Sequence, residues 1–175
     1  MSAMNGVVTA IVIDTDDPEG EGRVQLRYPW IPGEIQSAWA PIAAPMSGGS
    51  RGFYFSPEVE DEVLVAFEHN DFDHPFVVGF LWNGVDRPPE TDRNNRVFVS
   101  TAGHTIRFED GDPKKLIIRS SSGHEILMDD SSGAGKVKIQ SAGGLSITLD
   151  DAAQSLKLDG GGRSIEMTGS QILLG

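Results

Sequence analysis

The chain has 175 residues, of which 38% are apolar and 23% are charged, with a formal charge of −12 and no cysteine. This composition is typical of a globular protein and excludes disulfides and thiolate chemistry. The excess of acidic side chains argues against nucleic-acid binding, which needs a positive surface to release counterions from phosphates. The start of the chain lacks a signal-peptide pattern and no apolar run reaches ~20 residues, so we expect a soluble protein made in the cytoplasm.

Composition changes near residue 95, which predicts two unlike domains. Residues 1–95 carry a charge of −11, all three Trp and nine of the ten Pro, whereas residues 96–175 carry a charge of −1. The segment between them, 87–95, is polar and contains Pro, as is typical of a hinge. We therefore predict a first domain at 1–95 and a second domain at 96–175.

The first domain contains five apolar or alternating runs and no helical periodicity. The runs are residues 6–13, 23–28, 37–42, 62–68 and 76–82. An acidic turn at 14–22 and a flexible loop at 44–52 lie between them, and both are rich in turn-forming residues. Five short strands without a helix predict a five-stranded OB-fold barrel, the oligonucleotide/oligosaccharide-binding type.

The second domain repeats one short theme four times. Each copy begins with a glycine, at 103, 123, 144 and 162, and continues as an alternating apolar and polar run. A second run follows each copy, at 116–118, 137–139, 156–158 and 172–174. Each repeat of about 20 residues therefore predicts two strands and two turns, and the whole domain an antiparallel meander of about eight strands.

The alternation places a series of apolar side chains on one face of this meander. The predicted core residues are Ile106, Phe108, Leu116, Ile118, Ile126, Met128, Val137, Ile139, Ile147, Leu149, Leu156, Leu158, Ile165 and Met167. The sequence offers no helix or second sheet to cover them, and burial of each is worth roughly 1.5–3 kcal/mol only if the face becomes dry. We therefore predict that three chains wrap into an intertwined triple-stranded β-helix, a trimeric needle, which also removes open strand edges.

The last residues are also apolar and lie at the predicted end of the needle. They are Ile172, Leu173 and Leu174. An exposed apolar end formed by three chains is usually covered. The sequence leaves two alternatives for this cover. One is packing of the three chains against one another around the axis, and the other is a partner protein at the tip.

Two groups of histidines are candidates for metal binding. His69, Asp71, Asp73 and His74 lie within six residues, but a polar loop between two strands is the favoured interpretation. His104 and His124 share the parity of the apolar side chains, so a threefold axis would gather three copies of each around an ion or water. Contact with solvent at the start of a strand is the favoured alternative, and we predict no metal and no cofactor.

No residue group predicts catalysis. The acidic residues Glu58, Glu60, Asp61 and Glu62 lie in a turn before a strand, whereas a glycosidase needs one carboxyl group in an apolar cleft. Arginines of the first domain, at 23, 27 and 51, are too few and too diluted by acids for a nucleic-acid surface. We predict a protein that is not an enzyme.

Several short motifs of the first domain stand in a characteristic order. They are Asp16-Asp17-Pro18, Gly22-Arg23-Val24-Gln25-Leu26, Tyr28-Pro29-Trp30, Trp39-Ala40-Pro41, the run 57–71, and Pro75 with 78–84. In this order and spacing, residues 6–90 resemble baseplate assembly protein V and the VgrG-type central spikes of contractile injection systems. The chain carries Glu60 and Asn70 where that family usually has glycine. Short members often end in a metal-binding His-x-His motif, which is absent here because the last histidine is His124.

The predicted fold class is therefore all-β, an OB-fold barrel followed by a trimeric β-helical needle. The resemblance implies a structural spike that punctures membranes, assembled into the baseplate of a contractile phage tail or tailocin-like injection particle. It implies a homotrimer, a separate baseplate hub protein, a proline-alanine-alanine-arginine (PAAR) repeat protein as the tip cover, and penetration of a target cell envelope. A glycan-binding or peptidoglycan-degrading module on an oligomerising stalk is an alternative, and a single-stranded nucleic-acid binder is another.

Overall fold

The computed structural model describes residues 6–33 and 35–174, and these residues form fifteen β-strands and one short 3-10 turn. The predicted all-β class is confirmed. The chain divides into two compact units, Met1–Arg87 and Pro88–Gly175, called here the N-terminal and C-terminal units. Residues 1–5 and 175, which belong to the predicted domains, lie outside the described residues.

The N-terminal unit is built on a four-stranded antiparallel sheet. Its strands are β1 (Val7–Asp14), β2 (Gln25–Arg27), β5 (Glu62–Phe67) and β6 (Pro75–Phe80), in the order β2-β1-β5-β6. Alternation of buried and part-exposed residues along β5 follows the apolar pattern of its sequence. All four strands fall within runs predicted from the sequence, apart from differences of one or two residues at their ends.

The predicted third strand, 37–42, is present only as isolated bridges. It pairs with the residues beside β2 through Val24 and Ala40, whose backbone groups exchange hydrogen bonds of 2.8 and 3.0 Å. It pairs with β6 in parallel at Ile42 and Val77. This segment therefore connects the two outer strands of the sheet, while Pro41 lacks the N–H that a regular ladder would need.

The core of the N-terminal unit lies inside this arrangement of strands. Ten apolar residues among those that the structure describes are buried, and they are Ala10, Val12, Val24, Leu26, Tyr28, Ala40, Val63, Val65, Phe67 and Val77. The Tyr28 ring lies against Trp30, Phe67 and Phe72, with centroid distances of 5.0–6.0 Å. Burial raises the pKa of Tyr28 to about 12, because the charged phenolate is poorly solvated there.

The loops of this unit contain features that the sequence pattern did not predict. The region predicted as a flexible loop, 44–52, contains a small hairpin of β3 (Ser47–Gly48) and β4 (Arg51–Gly52). Glu60 and Asn70 have φ values of 79° and 62°. Glycine adopts such angles at no steric cost and asparagine tolerates them, whereas glutamate is strained there, which accounts for the glycine that the resembling family usually has at both positions.

The C-terminal unit is a nine-stranded antiparallel meander in which every strand pairs with its neighbours in the chain. The strands are β7 (Asn95–Val99), β8 (Thr105–Glu109), β9 (Lys115–Arg119), β10 (Glu125–Asp129), β11 (Lys136–Gln140), β12 (Ser146–Asp150), β13 (Ser155–Asp159), β14 (Ser164–Thr168) and β15 (Ile172–Leu174). The eight predicted strands are β8 to β15. β7 was missed because Arg96 interrupts its alternation and no repeat glycine precedes it.

Candidate functional site: the exposed apolar face of the C-terminal unit

The register of the meander aligns its apolar side chains into two columns. One column runs through Phe108, Leu116, Met128, Val137, Leu149, Leu156, Met167 and Ile172. The other runs through Ile106, Ile118, Ile126, Ile139, Ile147, Leu158, Ile165 and Leu174. All fourteen predicted core residues therefore lie on one face, which is called here the apolar face.

The apolar face is open to solvent in the single chain. Twelve of the fourteen predicted core residues are 36–45% exposed, and the other two, Leu116 and Leu156, are half-buried. Residues 88–174 form a single sheet, with no second layer of the same unit over this face. A continuous exposed apolar surface of this kind marks an interaction site, since its side chains stabilise a structure only when they are removed from water.

The opposite face of the meander, called here the polar face, carries the paired charges, although Ile117 and Leu127 also pair on it. Ion pairs join Arg119 to Glu125 across β9 and β10, and Lys136 to Asp150 across β11 and β12. In the middle of this face Lys138 and Lys157 flank Thr148. Charged groups gain little from burial, so this face is suited to water and the apolar face to a dry contact.

The predicted tip residues do not all lie on the same face. Ile172 pairs with Met167 and Leu174 pairs with Ile165, so both extend the apolar columns. Leu173 pairs with Glu166 and therefore lies on the polar face. The three side chains are 54–78% exposed, which makes the last strand the most exposed apolar part of the unit.

The beginning of the C-terminal unit is tied to β8 by one carboxylate. Glu90 accepts hydrogen bonds from the backbone N–H groups of Thr91 and Asp92 and from the side chain of Asn95. The Arg107 guanidinium lies 2.6 Å from Oε2 of Glu90, the oxygen that also accepts from Asn95. The backbone N–H groups of Asp92 and Thr91, with Asn95 and Arg107, lower the pKa of Glu90 to about 2.

We expect Glu90→Gln to destabilise the C-terminal unit above pH 4.5, the ordinary pKa of the group. Because the folded-state pKa is depressed, the stabilisation is present above the unfolded pKa and is lost as the pH falls through about 2. Thermal melts followed by far-UV circular dichroism should show a gap between wild type and variant that closes over that range. Glu109→Gln is the control, since Glu109 contacts Arg107 but accepts no backbone hydrogen bond. A gap of constant size at every pH would contradict this role for Glu90.

The acidic turn of the N-terminal unit is organised around one ion pair. Asp17 is almost fully covered and contacts the Arg23 guanidinium through both oxygens, at 2.7 and 3.0 Å. Arg23 holds the pKa of Asp17 well below its usual range, helped by backbone N–H groups of the same turn. Arg23 also contacts Glu19 and Glu21, so its charge is used within the turn.

The other candidate groups of the N-terminal unit form turns. Asp71 accepts hydrogen bonds from the Asp73 N–H and the His74 ring, which lower its pKa, while Asp61 accepts one from the Glu58 N–H. Within residues 6–33 and 35–174, no three His, Asp or Glu side chains are grouped as metal ligands. No helix in those ranges is long and apolar enough to cross a membrane.

An aromatic groove of about 320 Å³ in the N-terminal unit was missed by the sequence analysis. Phe53, Tyr54 and Phe80 line it together with Glu21 and Pro45. Their rings are 49–79% exposed. Phe80 lies in a predicted strand and in one of the motifs, whereas Phe53 and Tyr54 belong to neither and follow directly on a segment predicted to be a flexible loop. A run of three consecutive aromatics at 53–55 was the available signal.

Two family models match the chain, one in each unit. The Type VI secretion system/phage-baseplate injector OB domain matches residues 8–82. The phage baseplate V C-terminal trimerisation domain matches residues 115–174, which contain β9 to β15 and most of the apolar face. The predicted OB domain is confirmed, and the exposed face lies in a domain of a kind that forms trimers.

Curated relatives match more modestly. The actin cross-linking toxin VgrG1 of Vibrio cholerae is 28% identical over 133 residues, 65% of this chain. The Type VI secretion system spike protein VgrG3 of the same species is 27% identical over 61% of this chain, and VgrG2a of Pseudomonas aeruginosa is 31% identical over 39%. The matches span only 12%, 12% and 9% of those proteins' own lengths.

Proposed function

This chain belongs to the baseplate V and VgrG-type spike family of contractile injection systems, and from this we propose that it is a homotrimeric, membrane-puncturing central needle. The particle is a contractile phage tail or a tailocin-like injection system. The needle acts mechanically, with no reaction of its own. Contraction of the sheath drives the tube forward, and a stiff rod concentrates that force on a small area of the target envelope.

One observation carries the proposal: two unbroken apolar columns are exposed in a domain matched by a trimerisation model. Three such faces, turned toward a common axis, would bury the predicted core residues and leave the paired charges in water. The backbone ladder of nine strands would then run along the rod. A ladder of this kind has no long loop that could yield under load.

We propose two protein partners for the trimer in addition to the target envelope. A hub protein of the baseplate would hold the N-terminal units. A PAAR-repeat protein would cover the distal end, where Ile172 and Leu174 present the most exposed part of the apolar columns. Leu173 lies on the polar face, so it would contribute to the rim of that end rather than to its centre.

The mass of the full-length protein in solution tests the proposal most directly. We expect sedimentation equilibrium to give three times the chain mass of 18.8 kDa, over a wide range of concentration. Native mass spectrometry of the same sample should give the same stoichiometry. A stable monomer or dimer would exclude the threefold needle, and a monomer would favour the alternative of a small binding module.

A further inference from the structure

Three turns on one edge of the C-terminal unit share one conformation and stack in successive layers. They are residues 100–104, 120–124 and 141–145, called here the turn stack, and they join β7 to β8, β9 to β10 and β11 to β12. In each turn the hydroxyl of the first serine accepts a hydrogen bond of 3.0 Å from the N–H of the fifth residue. The fourth residue is a glycine with φ between 81° and 93°.

Two histidines connect the layers of the turn stack. His104 Nδ1 lies 3.2 Å from the backbone nitrogen of Ser121, and His124 Nδ1 lies 3.1 Å from that of Ala142. A backbone N–H can only donate, so each Nδ1 is the acceptor and the ring proton lies on Nε2. The two contacts span 17 and 18 residues, and each joins a turn to the next turn on the same edge.

The series stops at the third turn. Leu145 stands where the first two turns have histidine, and its Cδ2 lies 3.7 Å from the place that a Cβ on Gly161 would occupy. The N–H of Gly161 donates instead to Asp159, at 3.0 Å. Leucine cannot accept a hydrogen bond, so the strands beyond Leu145 lack the link that the earlier strands have.

We propose that His104 and His124 are interlayer latches, which fix the first three turns on one another and confine local opening of the C-terminal unit to the strands beyond Leu145. The contacts lie within one chain, so the inference does not rest on the proposed trimer.

Because Nδ1 accepts and Nε2 keeps its proton, neither nitrogen offers a lone pair to a metal ion. This assignment argues against an ion bound by these histidines on a threefold axis.

Amide hydrogen exchange of the full-length protein tests each latch separately. We expect the Ser121 and Ala142 amides to exchange about ten-fold more slowly than the Thr101 amide, which has the same position in the first turn but no layer before it. His104→Leu should speed exchange at Ser121 about ten-fold and leave Ala142 unchanged. His104→Asn should keep the protection, since its side-chain oxygen lies where Nδ1 lies. Equal rates at Ser121 and Thr101 in the wild type would overturn the proposal.

Two further measurements address the ring and the distal strands. Imidazole ¹⁵N shifts, recorded well above the ordinary histidine pKa of about 6.5, should show the Nε2–H form at both residues. In the wild type, amides of β14 and β15 should exchange before those of β9 and β10, and the variant with both histidines changed to Leu should narrow that difference. An Nδ1–H form, or a difference that the double variant leaves intact, would count against the latches.

Discussion

Ile147→Glu is expected to convert the proposed trimer into single chains. Ile147 lies in the middle of one apolar column, between Ile139 and Leu158, and its side chain is 39% exposed in the single chain. In the proposed needle three such carboxylates would meet in a dry core. An unpaired buried charge costs several kcal/mol, so three copies amount to a loss on the order of 10 kcal/mol. Sedimentation of the variant should give the mass of one chain.

The neighbouring residue provides a matched control for this substitution. Thr148 lies on the polar face between Lys138 and Lys157, so Thr148→Glu adds the same charge where two cations can meet it. We expect that variant to remain trimeric. If both variants kept the trimer, the apolar columns would not be the contact. If both variants lost the trimer, the added charge alone would explain the loss. That result would contradict the assignment of the apolar and polar faces.

Tryptophan fluorescence separates this effect from general misfolding. All three tryptophans, Trp30, Trp39 and Trp82, lie in the N-terminal unit, which has its own buried core. Ile147→Glu should therefore leave the fluorescence unfolding curve unchanged while the mass falls. A variant that lost the fluorescence signal as well would show that the substitution had disturbed the whole chain.

The strands of the C-terminal unit were predictable because each repeat contains the alternation and the turn residues that define its two strands. Period-two alternation decides which side chains share a face, and glycine and serine mark the turns, so β8 to β15 and the apolar face follow from local sequence. β7 departs from the pattern at Arg96, which pairs with Phe108 but forms an ion pair with Asp110. An alternation that begins with a charged residue does not distinguish a first strand from a linker.

Contacts between distant residues could not be predicted in the same way. The parity of His104 and Ile106 is visible in the sequence, yet the contact of His104 with Ser121 depends on the register of two hairpins. The separation of Leu173 from Ile172 and Leu174, in contrast, already follows from alternation within the strand, and the pairing of Leu173 with Glu166 of β14 agrees with it. In the N-terminal unit, β3 and β4 have two residues each, which is too short for any alternation to be read.

Val65→Ala is expected to destabilise the N-terminal unit and leave the proposed trimer intact. Val65 is 0% exposed in the centre of β5, where it pairs with Val8 and Val77. Removing two methyl groups from a packed core costs about 2 kcal/mol, from lost burial and from the cavity that remains. Urea unfolding followed by tryptophan fluorescence should show a midpoint lower by about 1–2 M. The sedimentation mass should not change, because the proposed trimerisation surface lies in the other unit.

Val59 supplies the control, since it is the same residue type in the same unit but is 51% exposed. Val59→Ala removes the same atoms from a surface position, where the side chain is already in contact with water. Its free energy of unfolding should therefore change by less than about 0.5 kcal/mol. Val65→Ala should therefore change the fluorescence unfolding curve and leave the sedimentation mass unchanged. Ile147→Glu should change the sedimentation mass and leave the fluorescence unfolding curve unchanged. An equal loss of stability from Val59→Ala and Val65→Ala would contradict the placement of the N-terminal core. This test does not depend on the oligomeric state of the chain.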